Sequence, residues 1–391
     1  MWSMFHRLIK PLKSNSFFLF GPRGAGKTTF LRHFFDPDTT LWIDLLDPIE
    51  EDRLSLHPES LSEQIEAMMG EKEWVVLDEV QKVPRLLDVV HQRIEGGGNI
   101  KFALTGSSAR KLKRGSANLL AGRAFVYNLY PLTHLEMGDA FDEISALQWG
   151  TLPKVVQLNG DEEKMAFLRA YALTYLKEEV WSEQLVRNLD PFRRFLEVAA
   201  QCNGEVVNAT NIARDVGVDP KTVQSYFTIL EDTLLGFLLE SHHSSVRKQQ
   251  IKSPKFYFFD GGVKRALDRT LTQELIPNTY GFGRAFEHFV IGEAIRLGSY
   301  LGKDYRFSYL RTKDDAEIDL LVERPGMPTA LVEIKSTTRV DERSTKTVER
   351  FLKDMPKAKG FCFSRDPIAK KIGAVEALHW REGLRAIGLC A

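Results

Sequence analysis

The sequence predicts an α/β protein of more than one domain: a parallel-sheet unit, a helical middle region and a second α/β unit. Three observations predict it. A glycine loop sits between a short apolar strand and a helical run near residue 20, helix-period patterning takes over after Leu152, and strands mixed with helices return after residue 300. At 391 residues the chain is long for one hydrophobic core, so boundaries are expected that divide it into 1–150, 151–265 and 266–391.

Phe17-Phe-Leu-Phe20 reads as a buried strand and Thr29 to Phe35 as a helical run. Between them Gly21, Pro22, Arg23, Gly24, Ala25, Gly26, Lys27 and Thr28 complete the G-x-x-x-x-G-K-[ST] pattern in the setting it requires. Gly21, Gly24 and Gly26 let backbone N–H groups turn inward and cradle phosphate oxygens at a helix N-terminus. Lys27 can reach the β- and γ-phosphates, Thr28 can offer its hydroxyl to Mg²⁺, and Thr29 closes the nucleotide-binding stretch. The bland alternative, a chance glycine turn, is opposed by the flanking strand and helix.

A second apolar run, Trp74-Val-Val-Leu, ends in Asp78 and Glu79, where open α/β sheets place ligand groups. Asp78 is expected to hold magnesium through water. Glu79 is expected to polarise the attacking water, help that is typically worth ~10²–10⁴ in rate. A third strand, Lys101 to Thr105, brings a hydroxyl that can reach the γ-phosphate or that water; capping a helix near Ser108 is its other reading. Arg123, after Leu119-Leu-Ala-Gly122, is either a cation at a helix C-terminus or an arginine finger for a neighbouring subunit's ATP.

The glycine loop, Val-Leu-Asp78-Glu79-Val-Gln81, Leu-Thr105-Gly-Ser-Ser and Leu-Ala-Gly122-Arg123 together resemble a family of bacterial and archaeal AAA+ ATPases. The resemblance continues through Lys255-Phe-Tyr-Phe-Phe-Asp260-Gly-Gly, Gly283-Arg-Ala-Phe-Glu287 and Arg311-Thr-Lys-Asp-Asp-Ala-Glu317-Ile-Asp319, so it covers nearly the whole chain. It implies roles for Lys27, Thr28, Asp78, Glu79, Thr105 and Arg123 like those above, tilts Arg123 toward the finger, and adds a C-terminal domain of uncharacterised function.

Composition narrows the partners. The 43% hydrophobic and 27% charged content is that of an ordinary globular chain, and a formal net charge of zero leaves any nucleic-acid contact to a local patch. The three cysteines, Cys202, Cys362 and Cys390, lie far apart with no metal-ligand spacing, as expected in a reducing compartment. The apolar run at Phe17 is too short for a signal peptide, and no stretch approaches the ~20 apolar residues of a membrane span. A cytoplasmic protein is expected.

In the middle region Glu162 to Val186 and Phe192 to Cys202 read as helices. Asn208 to Asp232 reads as two capped helices around Gly217, the second begun by Asp219 and Pro220. With β-like stretches at Gly236–Glu240 and Phe256–Phe259 this is a winged helix-turn-helix layout. Lys221, Thr222, Gln224 and Ser225 would face a major groove if it reads DNA; a packing or lid module is the alternative. Arg247, Lys248, Lys252 and Lys255 form a basic cluster suited to phosphate contacts, or a solvated loop.

The final unit is read as a helix from Arg284 carrying Glu287, strands Tyr305–Leu310, Glu317–Glu323 and Thr329–Lys335, then a helix and a strand. Asp319, then Glu333-x-Lys335 across a hairpin, with Glu287 before them, resembles the PD-(D/E)xK nuclease fold, a restriction-endonuclease-like unit. Asp319, Glu333 and Glu287 could gather a second Mg²⁺ or Mn²⁺, with Lys335 orienting or deprotonating a water. A nuclease fold without turnover, used for binding, is the competing reading. The chain is therefore expected to be a Mg²⁺-dependent AAA+ ATPase coupled to DNA binding or processing, homo-oligomeric through AAA+ interfaces. The alternative is a nucleotide-gated switch that binds a protein partner and keeps an inactive nuclease-like domain.

Overall fold

The computed structural model describes residues 5–68, 70–107, 122–175, 189–242, 253–312 and 314–390. The first unit contains β1 (Ser16–Phe20), α1 (Lys27–Phe34), β2 (Thr40–Asp44), α2 (Pro48–Leu56), α3 (Ser60–Ala67), β3 (Trp74–Asp78), α4 (Leu86–Glu95), β4 (Lys101–Gly106) and β5 (Ala124–Asn128). Its five strands run in the order β2-β3-β4-β1-β5 and pair in parallel throughout. The continuous apolar run of β1 follows from this. Phe18 and Phe20 pack into one core layer and Phe17 and Leu19 into the other, so both faces are covered.

Short helices α5 (His134–Met137), α6 (Glu143–Trp149) and α7 (Pro153–Gln157) lead into α8 (Asp161–Ala170). The long helix expected over 162–186 instead passes into one π-helical turn at Tyr171–Tyr175, and 176–188 lie outside the described residues. Then follow α9 (Leu189–Gln201), α10 (Ala209–Val216) and α11 (Pro220–Asp232). The caps read from sequence are present: Asn208 accepts from the Asn211 amide, Asp219 accepts from Lys221 and Thr222, and Gly217 takes the left-handed conformation between the helices.

The expected wing is not free-standing. β6 (Gly236–Ser241) and β7 (Lys255–Phe258) form an antiparallel pair, but β6 also runs parallel to β8 (Arg306–Arg311). They complete an eight-stranded sheet with β9 (Glu317–Glu323), β10 (Ala330–Lys335), β11 (Lys359–Ser364), β12 (Lys370–Ile372) and β13 (Val375–His379), ordered β12-β13-β11-β10-β9-β8-β6-β7. β7 joins two cores: Phe256 and Phe258 pack among the middle helices, while Tyr257 packs against the C-terminal sheet.

The remaining helices are α12 (Gly261–Leu267), α13 (Tyr280–Tyr300), α14 (Glu342–Asp354) and α15 (Trp380–Ala386). The 21-residue α13 is a pillar between the units. Its Glu293 accepts from the His134 backbone and ring, and Arg296 donates to Leu132 O, Thr151 Oγ1 and Phe259 O. Its last residue, Tyr300, donates to Tyr130 O and accepts from the Tyr130 amide. Among the described residues no helix is long and apolar enough to cross a membrane.

Candidate functional site

The glycine loop leaves the carboxyl end of β1, beside the ends of β3 and β4. Gly24 and Gly26 have φ of +77° and +92°, and a Cβ at Gly21 would lie 2.3 Å from Leu129 O, so the backbone course excludes side chains. Lys27 is buried and donates to Gly21 O at 2.8 Å, with Glu79 3.7 Å from its ammonium.

Asp78, 1% exposed, accepts from the Thr105 hydroxyl at 2.5 Å and is hydrogen-bonded by Thr28. Burial raises its pKa, and these two hydroxyls oppose the rise. Thr105 also accepts the Glu79 amide at 2.8 Å. Glu79 itself sits at φ +61°, a left-handed conformation that costs a non-glycine residue roughly 1–3 kcal/mol. Gln81 holds the Glu79 side chain with a 2.5 Å hydrogen bond to Oε2. The structure thus brings together Lys27, Thr28, Asp78, Glu79 and Thr105 from three strand ends. A buried carboxylate served by neutral hydroxyls fits a hydrated divalent cation.

Arg123 is elsewhere. β5 pairs Ala124 with Ser16, at the end of β1 opposite the loop, and Arg123 is exposed with a 2.6 Å ion pair to Glu95. The helix expected just before it lies outside the described residues.

Three features of this site were not read from the sequence. Arg7 is buried and donates to Ala25 O (2.7 Å), Tyr130 O (2.6 Å), Tyr300 Oη (3.0 Å) and Glu136 (2.9 Å), tying the loop to α13. From the other side the Tyr171 hydroxyl donates to Arg23 O at 2.7 Å. A groove of about 760 Å³ beside Gly24, Gly26 and Thr29 is walled by Phe5, Ile9, Phe30 and Pro153. An arginine and a tyrosine distant in sequence carry no local signal for such contacts.

In the C-terminal sheet Asp319, Glu333, Lys335 and Glu287 do come together. Asp319 accepts the Ile334 amide at 2.7 Å; burial, then the Glu333 charge, raises its pKa well above the carboxylate range. Glu333 is bonded by Lys335 at 2.5 Å, and burial raises its pKa as well. The expected phosphate contact Lys255 is overturned. It is 3% exposed, hydrogen-bonded to Glu317 and 3.8 Å from Glu287, which also accepts from Tyr257 at 2.7 Å. Arg247, Lys248 and Lys252 lie outside the described residues. Among the described residues no group of three or more His, Cys, Asp and Glu is arranged to hold a metal ion. The expected second metal site therefore stands as acids that already have ammonium and phenol partners. On the middle helices Lys221, Gln224 and Ser225 are exposed, while the Thr222 hydroxyl is taken by Asp219 at 2.6 Å.

Residues 13–138 match the AAA domain. That match supports nucleotide binding and hydrolysis at the loop just described. Residues 142–274 and 282–381 match two domains of unknown function, DUF8612 and DUF4143. Uncharacterized proteins of Mycobacterium tuberculosis and Mycobacterium bovis are each 28% identical over 324 residues, covering 82% of this chain and 70% of theirs. Among solved structures, unliganded Pif1 from a Bacteroides species aligns at 17% identity over 41% of this chain and 47% of its own, with a TM-score of 0.23. A Signal Transduction ATPase with Numerous Domains from Pyrococcus horikoshii, with a tetratricopeptide repeat sensor, aligns at 15% over 74% and 47%, with a TM-score of 0.22. The chain spans about half the length of either, and at those scores neither likeness carries an argument.

Proposed function

We propose that the chain is a Mg²⁺-dependent ATPase, with residues 1–150 as its AAA+ unit and residues 151–265 and 266–391 as a winged-helix and a nuclease-like unit that it drives. The observation that carries this reading is the convergence of Lys27, Thr28, Asp78, Glu79 and Thr105 at the carboxyl ends of three parallel strands. The loop amides and Lys27 would hold the phosphates of ATP, and the groove walled by Phe5, Ile9 and Phe30 would take the base. Thr28 and Asp78 would hold Mg²⁺, which supplies charge neutralisation between the phosphates. Glu79 would orient and deprotonate water, and Thr105 would fix its backbone amide. Phosphate release with and without single-stranded, duplex and branched DNA tests the reading. DNA-stimulated turnover supports DNA processing; absence of ATP hydrolysis overturns the ATPase itself.

A second reading, a nucleotide-gated switch for a protein partner, is favoured by one observation: two of the C-terminal acids are already ion-paired, Glu317 with Lys255 and Glu333 with Lys335. Slow turnover with retained nucleotide and no response to DNA would select it.

Arg123 would serve a neighbouring subunit, because it lies at the end of β1 away from its own loop. A head-to-tail assembly follows. Arg123→Ala should keep ATP binding and lose ~10³–10⁵ in turnover, and mixing it with Glu79→Gln should restore some activity. A monomer with ATP whose specific rate is independent of concentration would refute the trans role.

A further inference from the structure

A cavity of about 340 Å³, separate from the groove at the glycine loop, lies between α6, α12, the 270–279 loop and the first turns of α13. Its size is within the ~300–1,000 Å³ of small-molecule sites. One buried cation on its wall is unanswered. Arg265, on α12, is 6% exposed, and burial lowers its pKa. Its Nη2 donates to Thr270 O at 2.6 Å and to Gln273 O, which are uncharged carbonyls. Its Nε is buried with no hydrogen-bond partner among the described residues. The acid nearest along the chain, Asp268, is already engaged: Lys264 holds one oxygen at 2.5 Å and the Thr270 hydroxyl holds the other at 2.7 Å. Of the other acids on the wall, Glu205 is 3.5 Å from Arg284, Asp260 accepts the Thr151 and Val263 amides, and Glu274 is exposed. A guanidinium keeps its proton at any ordinary pH, so a buried one calls for a counter-charge.

The facing wall supplies further donors. The 21-residue α13 begins in the cavity: Thr279 caps the Phe282 amide, and Tyr280 and Gly281 line the space. A helix start presents free amides and a partial positive charge to an anion. Arg284, one turn on, donates to Asn203 O at 2.5 Å and meets Glu205 only at 3.5 Å. Its guanidinium lies 5.8 Å from the centroid of the Tyr280 ring. We propose that this cavity binds a small phosphate ester, its head held by Arg265, Arg284 and the first amides of α13. Two guanidinium groups that share one distant carboxylate leave charge for a dianion, and arginine holds phosphate oxygens through several N–H groups at once. The volume leaves room for an organic body beside the phosphate. No residue of the glycine loop takes part, so the inference does not depend on the ATPase reading.

The test uses the full chain carrying Lys27→Ala, so that the glycine loop does not take the probe. Inorganic phosphate and phenyl phosphate are titrated at constant ionic strength, with binding read from ³¹P line broadening. One saturable site is expected, with phenyl phosphate bound at least as tightly as inorganic phosphate. Adding Arg265→Gln should weaken it at least ~10-fold, because a charged hydrogen-bond donor is lost. Adding Gly281→Asp should weaken it as much and separates binding from folding. A Cβ at Gly281 meets no atom within 4 Å, and an acid in the first turn of a helix is stabilising. Should Arg265→Gln not fold, Arg284→Gln takes its place. Binding left unchanged by Gly281→Asp overturns the site, and so does the absence of saturable binding of either probe. A site seen only when Lys27 is intact belongs to the glycine loop and refutes the proposal. Acetate that competes as well as phosphate overturns phosphate as the group recognised.

Discussion

The two acid-and-lysine sites of this molecule use the same residue types, yet they handle charge in opposite ways. At the glycine loop, Asp78 is served by the hydroxyls of Thr28 and Thr105, and Lys27 rests on the carbonyl of Gly21. In the C-terminal sheet, Glu317 and Glu333 each bind an ammonium, and Glu287 binds a phenol beside Lys255. The first arrangement leaves Asp78 without a cation and Lys27 with only a 3.7 Å ion pair to Glu79, ready for cation and phosphate. In the second, two of the acids are already ion-paired within the chain. Which residue types gather at a site says less about its task than whether their charges are already compensated.

The largest effects belong to the first site. Lys27→Ala should abolish binding of a fluorescent ATP analogue, since it removes the ammonium that answers the phosphates. Glu79→Gln should bind normally and lose ~10²–10⁴ in phosphate release. Normal hydrolysis by Glu79→Gln would remove the distinction between an open catalytic site and an ion-paired cluster.

A pair of variants sharpens the contrast on the side of folding. Glu317→Ala leaves the buried Lys255 ammonium without its hydrogen-bonded partner, and should cost on the order of 3–5 kcal/mol in urea unfolding. Asp78→Asn removes a carboxylate whose pKa burial has already raised, so stability should change by less than ~1 kcal/mol, or rise, while Mg²⁺-dependent ATP binding fails. Similar losses for the two variants would mean that internal compensation does not separate the sites.

How much of this was legible follows from the range of each interaction. The loop, the apolar strands and the acids at their ends are local patterns; β9 matches the expected span residue for residue, and β3 stops at Asp78, one residue short of the expected run. The parallel order and the doubly covered β1 follow from them. What was not legible depends on contacts across the chain. Lys255 was read with Arg247, Lys248 and Lys252 as a basic cluster, because proximity in sequence is a poor guide to a strand edge. The usable signal was alternation: Lys255 and Tyr257 share one face of β7, and Phe256 and Phe258 share the other. Arg7 and Tyr171 offered no such clue; their partners, Ala25 and Arg23, are backbone carbonyls of the glycine loop.

A pH-dependent effect tests a third way of burying a titratable group, with no charge at all. His288 on α13 lies between the two sites, 6% exposed, its Nε2 2.6 Å from Phe258 O. Burial lowers its pKa to about 3; Lys264, Arg296 and Arg284 push the same way, and the bond to Phe258 opposes them. The unfolded histidine takes a proton below about pH 6.5, while the folded one stays neutral until far lower. Between those values the unfolded state binds more protons, so this residue's contribution is complete above the unfolded pKa and is lost as pH falls. The slope is at most about 1.4 kcal/mol per pH unit. Asp319, whose pKa is raised, acts in the opposite sense, so total stability mixes the two. The difference between wild type and His288→Gln isolates the histidine, and from about pH 4 to about pH 6 it should grow in favour of wild type by about 1.4 kcal/mol per unit. A difference flat across that range would mean that His288 is protonated in the folded protein. Its place would then be among the compensated charges, alongside Lys255.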